Sequence, residues 1–321
     1  MPKVSVITPV YGVEKYIERC ARSLFEQTLD DIEYLFIDDC TPDRSIEILK
    51  RVMEEYPQRK SQVTIHRKKQ NGGQAKAREW AINKSTGDYI IHCDSDDWVD
   101  VDYYKALYDK AVETGADIVV SDFKLYDGSH EEIHKGILKN EMFLSDMMYS
   151  KVTWSLWNKL ISRSVYSKGF VAPQANVGED MAIVLQLSKR VEKIEYVPDV
   201  YYYYFYNQDS TMNVSSEEKI YNKYQQMCSN VDIVCEAYKD VVLPFNVDKR
   251  LSAIKLYCQV LLVPILQEKY QKEWKRRNSF PSLRTIIDPN VRVRYKVVYC
   301  AGKLGIYNFL KRINNSYSND I

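Results

Sequence analysis

The stretch Asp88-Tyr-Ile-Ile-His-Cys-Asp-Ser-Asp-Asp-Trp98 closes a short apolar run with three carboxylates in four positions. Thr86-Gly87 is a turn signal and Tyr89 to Cys93 is strand-like, so Asp94, Ser95, Asp96 and Asp97 are expected at the end of a buried strand, where α/β proteins bind ligands. Carboxylates this close raise one another's pKa unless a cation lies between them. A hard divalent ion, Mg²⁺ or Mn²⁺, suits such oxygen ligands, and it commonly holds substrate phosphates as well. The competing reading is a solvated acidic turn capping a helix that begins near Val101. The triplet alone does not separate the two.

The flanking pattern does. Upstream, Val4 to Thr8 reads as a strand, and Glu14 to Gln27 carries Tyr16, Ile17, Cys20 and Leu24 at helical spacing. Ile32 to Asp38 is a second strand, followed by a helix opened by Pro42-Asp43 with Ile46, Leu49, Met53 and Tyr56 on one face. Val63 to Arg67 is a third strand, and Asn71-Gly-Gly73 turns the chain into a helix from Gln74 to Ser85. Downstream, Val101 to Thr114 reads as helix and Asp117 to Tyr126 as strand. Strands alternating with helices predict right-handed crossovers and an α/β fold whose mostly parallel sheet is covered on both faces.

Between Asp127 and Gly178 the pattern weakens into polar and aromatic residues, including Trp154 and Trp157-Asn-Lys159, a composition that suits either surface packing or a substrate loop. Glu179 to Val191 is an amphipathic helix with acidic residues in its first turn, and Lys193 to Tyr206 is a last strand dense in tyrosine. Beyond Ser216 the apolar residues keep helical spacing through Tyr238 and again from Asp248 to Tyr270. The expected organisation is a nucleotide-binding domain over 1–214 and a helical C-terminal region over 215–321. Within the latter, Val291 to Ile313 carries Arg292, Arg294, Lys296, Lys303, Lys311 and Arg312, no acidic residue, and interleaved apolar side chains. A segment of that kind suits either an anionic membrane surface or a basic face packed on the protein itself.

The bulk numbers restrict the function classes. With 321 residues, 45% of them hydrophobic, the chain can bury a large core. A net charge of +1 argues against nucleic acid as the main partner. Seven cysteines without a Cys-x-x-Cys pair indicate reduced thiols rather than a zinc site or a disulfide framework. The N-terminus lacks the layout of a signal peptide, and no apolar run reaches membrane-spanning length, so a cytoplasmic location is expected, with peripheral membrane contact open to it.

Four stretches converge at the carboxyl ends of the expected strands: Thr8-Pro-Val-Tyr11, Asp38-Asp39, Asn71-Gly-Gly73 and Asp94 to Asp97. Tyr11 could stack on a base, Asp39 could accept the N–H of a uracil-like ring, and the carboxylate cluster could hold a metal on a diphosphate. As an ordered set, Val4-Ser-Val-Ile-Thr-Pro-Val-Tyr11, Phe36-Ile-Asp-Asp39, Asn71-Gly-Gly-Gln-Ala-Lys-Ala-Arg78, Gly87 to Asp97 and Gly178-Glu-Asp180 resemble the family 2 glycosyltransferases, inverting enzymes of the GT-A fold, over roughly residues 3 to 210. The resemblance implies that Thr8, Tyr11 and Asp39 hold the base, Asp94 lies near the ribose, and Asp96 ligates the metal with Asp97 as substitute. It places Pro9, Glu14, Asn71, Arg78 and Ser95 in the donor site as well. Asp180 is the implied catalytic base, with Glu179 beside it. The implied reaction is metal-dependent transfer of a hexosyl or N-acetylhexosaminyl group from a nucleotide sugar, UDP-linked, to a glycan or lipid-linked acceptor in cell-surface polysaccharide synthesis. Where the family often carries a basic residue or histidine before a serine, this chain has Tyr206-Asn-Gln-Asp-Ser210.

Other readings fit less well. A nucleotidyltransferase commonly has an early glycine-rich loop with a lysine, and Pro9-Val-Tyr-Gly-Val-Glu14 is too poor in glycine. In a phosphatase of the haloacid-dehalogenase type, Trp98 would have to be Thr or Val. A nucleotide-sugar-binding or assembly subunit without activity would be expected to lack part of the catalytic set, and none is missing.

Overall fold

The computed structural model describes residues 2–136, 140–206, 216–266, 270–271, 273–274 and 283–306. In it β1 (Val4–Val10) is buried at six of its seven positions, because it lies between β2 (Ile32–Asp38) and β4 (Tyr89–His92) and pairs with both in parallel. Pairing with β4 stops at Ile7 opposite His92, so Pro9 falls where only the β2 side is engaged and its missing N–H costs no bond to β4. β3 (Val63–Arg67) extends the parallel half beyond β2. With β5 (Trp98–Val99), β6 (Ile118–Tyr126), β8 (Lys159–Ser162) and β9 (Ile194–Phe205), the full order is β3-β2-β1-β4-β8-β6-β9-β5, and β7 (Glu131–His134) is added to β6.

Past β4 the sheet becomes mixed. β8 (Lys159–Ser162) runs antiparallel to both β4 and β6, and β9 (Ile194–Phe205) returns parallel to β6 with a register shift after Ser121. The two-residue β5 (Trp98–Val99) pairs antiparallel with β9 and draws the acidic run toward that strand. The region between Asp127 and Gly178, expected to be irregular, thus supplies an interior strand. Its four residues sit between two partners and alternate with nothing, so period-2 patterning could not reveal them.

Helices cover the parallel half. α1 (Ile17–Phe25) buries Ile17, Cys20, Ala21, Leu24 and Phe25, one apolar stripe at spacings of three and four. α2 (Ser45–Glu55), α3 (Gln74–Lys84) and α4 (Tyr103–Thr114) follow at the expected places, each one to four residues shorter than the sequence pattern suggested. Phe25, Tyr34, Phe36, Leu49, Tyr103, Tyr104 and Tyr202 belong to one core cluster with β1. α5 (Phe143–Met148), α6 (Arg163–Ser167) and α7 (Glu179–Ser188) complete the set before β9.

The chain divides into two units, one of residues 1–144 with 152–210, the other of 145–151 with 211–321. The boundary expected at 214 and 215 lies outside the described residues, as does most of the loop 206–210. In the second unit, α8 (Glu217–Ala237) starts on Ser216, whose hydroxyl accepts the Lys219 N–H, and α9 (Val247–Val260) starts on Asn246 in the same way. α10 (Leu283–Ile287) and α11 (Val293–Leu304) follow. Residues 145–151 join this unit through hydrogen bonds from Tyr149 to Asp288 (2.8 Å), Lys151 to Asn290 (2.7 Å) and Arg250 to Ser145 (3.0 Å). Among the described residues no helix is long and apolar enough to cross a membrane.

Candidate active site

The carboxyl ends of β1, β2 and β4 and the N-terminal halves of α3 and α7 carry the singled-out residues other than Glu14, which precedes α1, and all lie within the first unit. Asp94 leaves β4 with its side chain 23% exposed, and its Oδ1 accepts hydrogen bonds from Arg78 Nη2 (2.8 Å) and Gln74 Nε2 (3.1 Å). Its backbone N–H donates to the hydroxyl of Tyr202. Ser95 is buried. Asp97 is buried too, and each of its oxygens accepts one bond: Oδ2 takes the Tyr202 hydroxyl (2.5 Å) and Oδ1 the Phe205 N–H (2.7 Å). These bonds tie the acidic turn to β9. Burial first, then the charges of Asp96 and Asp94, push the Asp97 carboxyl well above the usual carboxylate range.

Asp96 is placed differently. It is half-buried, and among the described residues its carboxylate has only its own backbone N–H as partner. Burial, then the charge of Asp94, pushes it up to about 6. Its carbonyl oxygen is gripped by Arg19 Nη2 (2.9 Å), whose guanidinium lies 3.7 Å over the Trp98 ring. The described residues hold no group of three or more His, Cys, Asp or Glu able to bind a metal by themselves. A half-buried carboxylate left without outside donors does fit a cation whose other ligands are phosphates and water, the usual situation for Mg²⁺.

Asp39, at the end of β2, is 3% exposed. Its Oδ1 accepts Lys68 Nζ (2.6 Å) and the Gly72 N–H (3.0 Å), and its Oδ2 accepts the Gly73 N–H (2.7 Å). Three of roughly four lone-pair positions are therefore used within the chain, and one remains. Gly73 has φ +81°, and a Cβ there would come within 2.2 Å of Asn176, so glycine is required where the loop closes onto α3. Asn71 is exposed on the same loop. Asp39 N–H donates to the Val10 carbonyl, which brings Asp39 beside Tyr11; that ring is 52% exposed. The Thr8 hydroxyl is buried and has no hydrogen-bond partner among the described residues, and Pro9 precedes the turn. Glu14 instead accepts the Arg44 N–H (3.1 Å) and stands 3.9 Å from its Nε, linking the start of α1 to the start of α2.

α7 opens on Gly178, in the left-handed region with φ +81°, and carries Glu179 and Asp180 in its first turn. Between them and Asp94 lies Arg78, wholly buried, with its Nε 3.5 Å from Asp180 Oδ1 and 3.7 Å from Glu179 Oε1. Burial opposes the Arg78 charge, but Asp180, Asp94 and Glu179 outweigh it and hold the guanidinium above its ordinary value. Glu179 is pushed up by burial and by the charge of Asp180, against Arg78. Burial likewise pushes Asp180 up, opposed by Arg78 and raised further by Asp94. Asp180 Oδ2 also accepts the Leu156 N–H at 3.3 Å, and 21% of the side chain remains exposed.

One cation thus joins the carboxylate expected near the ribose to the one expected as base. Tyr202, Lys68 and Arg19 were not singled out from the sequence for this site, whereas Gln74 stood inside a matching stretch and the turn before β8 inside the region open to either surface packing or a substrate loop. Lys159 carried a further signal, a charge inside the largely apolar run Leu156-Trp-Asn-Lys-Leu-Ile161.

Residues 5–176 match the family described as glycosyl transferase family 2. The uncharacterized glycosyltransferase EpsJ of Bacillus subtilis is 30% identical over 241 residues, 70% of this chain and 68% of its own. Glycosyltransferase GlyA of Streptococcus pneumoniae is 25% identical over 81% of this chain and 38% of its length. TarS of Staphylococcus aureus, a poly(ribitol-phosphate) beta-N-acetylglucosaminyltransferase, is 24% identical over 78% of this chain and 45% of its length. A crystal structure of TarS 1–349 with UDP-GlcNAc superposes with a TM-score of 0.65 at 18% identity, covering 99% of this chain and 92% of that one. This chain therefore spans less than half of GlyA and of full-length TarS.

Proposed function

The chain belongs to glycosyl transferase family 2, with its GT-A fold, and from that premise we propose an inverting transfer from a UDP-linked sugar to a hydroxyl of a glycan or lipid-linked acceptor in cell-surface polysaccharide synthesis. The sugar is a hexosyl or N-acetylhexosaminyl group. The observation that carries the reading is the Asp180 carboxylate, partly exposed and held against buried Arg78, which also grips Asp94.

In this reading Asp39 uses its remaining acceptor position for the base N–H, and Thr8 and Tyr11 flank the base, with Pro9, Asn71 and Ser95 shaping the pocket around it. Asp94 faces the ribose through the oxygen that Arg78 and Gln74 leave free. Asp96 would hold Mg²⁺ or Mn²⁺ in preference to Asp97, whose two oxygens each already accept a bond from β9. When bound, the ion supplies positive charge for the departing diphosphate. Asp180 takes the proton of the acceptor hydroxyl as its oxygen bonds to the anomeric carbon from the face opposite UDP, and the bond to the diphosphate oxygen breaks with its electron pair. Arg78 opposes the rise that burial imposes on Asp180, and Glu179, itself pushed up to about 8 by burial and by Asp180, stands beside it. Arg78 and Glu179 act by positioning and field. Glu14 lies outside this constellation.

The test is Asp180→Asn, assayed by UDP release from a panel of UDP-sugars with Mn²⁺. Rate should fall by a factor of about 10² to 10⁴ while UDP affinity stays at the parent's value. Parent-like turnover would remove Asp180 from the mechanism, and lost UDP binding would make it a donor-site or structural residue.

Peripheral membrane contact through α11 belongs to the same proposal. Val293, Val297 and Leu304, spaced by four and seven, share one face and are 70%, 52% and 70% exposed. Arg294 and Lys303 lie on the same helix. Exposed apolar residues with basic neighbours suit the interface of an anionic, cytoplasm-facing leaflet. Arg292 and Lys296 already donate to Ser150 and Asp288 carbonyls, and residues 307–313 of the basic segment lie outside the described ones.

A further inference from the structure

We propose that Lys159 is a positioning residue for the base, fastening the 153–158 turn so that the Leu156 N–H stays on Asp180; this rests on the reading of Asp180 given above. Lys159 opens β8, and its side chain is fully buried. Its Nζ donates to the Ser155 carbonyl (2.8 Å), the Asn158 Oδ1 (2.8 Å) and the Thr153 carbonyl (3.0 Å). A neutral amine has two hydrogens, so three acceptors call for the ammonium. Burial pulls the group down to about 7, with the charge of Asp180 acting against that shift.

The rest of the turn is tied to the same centre. Ser155 Oγ donates to Asn158 Oδ1 (2.9 Å), Asn158 Nδ2 donates to the Ser121 carbonyl on β6 (3.1 Å), and Lys159 N–H closes on the Leu156 carbonyl (3.2 Å). What this arrangement presents to α7 is one backbone donor, Leu156 N–H, on Asp180 Oδ2. Asp180 Oδ1 faces Arg78 and has no hydrogen-bond partner among the described residues. The carboxylate is thus held from two sides, by Arg78 on α3 and by a turn whose geometry depends on Lys159. The charged and titratable groups around Asp180 are Arg78, Asp94, Glu179, Lys159 and Tyr166. Of the cations among them, Arg78 also grips Asp94, whereas Lys159 serves the turn.

The test compares Lys159→Met, Ser155→Ala and Asp180→Asn by UDP release from the most active UDP-sugar of the panel, with UDP affinity and thermal unfolding as controls. Lys159→Met should keep UDP affinity and donor KM within about twofold while kcat falls roughly ten- to hundredfold. Because a positive charge near the base is lost, the acidic limb of its kcat profile should also move to higher pH. A merely structural role would lower the amount of folded enzyme and leave that limb in place. Lys159→Met with the parent's kcat and pH profile overturns the proposal. If Lys159→Met does not fold, Ser155→Ala decides: it loosens the turn without touching the ammonium, so kcat should fall by a few-fold at unchanged KM, and the parent's kcat refutes the proposal. Asp180→Asn separates the two failures. If it is inactive while the turn variants are normal, only the role of Lys159 falls; if it is as active as the parent, the base assignment falls first.

Discussion

Replacing Arg78 by methionine removes the one cation that, among the described residues, lies within 4 Å of Asp94, Asp180 and Glu179 together. All four side chains are less than a quarter exposed, so solvent screens them weakly. At 3.5 Å and an effective dielectric near 20, each pair attracts by about 4 to 5 kcal/mol before desolvation is counted. Removing one partner of such a buried set costs about 3 to 5 kcal/mol, because the remaining charges are left uncompensated. For a unit of this size that corresponds to a fall in Tm of roughly 10 °C. The loss should depend on pH. Glu179 and Asp180 are already raised in the folded protein, so each contributes stability at low pH that is lost as pH rises through its folded pKa. Without Arg78 both rise further, and the deficit grows from acid to neutral conditions. Thermal unfolding of parent and Arg78→Met at about pH 5 and about pH 8 measures it, with the larger gap at the higher pH. An equal gap at both, or none, would refute the account of Arg78 as the counter-ion of the three carboxylates.

Asp96→Asn should abolish the gain in UDP affinity that Mn²⁺ gives in calorimetry, whereas Asp97→Asn should lower thermal stability; the reverse pattern would exchange their roles. Since Asp96 protonates at about 6, that gain should fade as pH drops through 6. Asp39→Ala should weaken UDP binding by about 1 to 3 kcal/mol, as the base N–H loses its acceptor, and unchanged affinity in the folded variant would remove Asp39 from the base site. The chain should bind anionic vesicles weakly and in a salt-sensitive way, each basic residue contributing about 1 kcal/mol at most. Val297→Asp should abolish that binding, and co-sedimentation indifferent to salt and to this change would leave α11 a packed face.

How far the sequence could be read depended on burial geometry. β1, β2 and β4 are flanked by turn signals and punctuated by helices of clear period, as at Ile17, Cys20 and Leu24, so their order could be read directly. β5 and β8 could not be read, because two or four residues between partners show no period. In the site, the acidic run announced itself, but its division of labour did not. Asp97 is set apart from Asp96 by its bonds to Tyr202 and Phe205, about a hundred residues away in the chain. Arg78 was legible as part of a motif and not as a bridge between two carboxylates, since that role exists only once α3, β4 and α7 meet. Glu14 was assigned to the donor site without lying in any of the matching stretches, and its carboxylate accepts the Arg44 N–H.

The passage of residues 145–151 into the second unit bears on how the molecule can be taken apart. A chain ending at 214 would keep this heptapeptide and lose its companions. Tyr149 would be parted from Asp288, Lys151 from Asn290, and Ser145 from Arg250, while Met147, Met148 and Tyr149 are side chains that the intact protein buries. The helical region is therefore no detachable cassette. Grafting it onto another transferase would require moving two pieces of chain at once, and any insertion or deletion near 145–151 would be felt in helices that the linear map draws a hundred residues downstream.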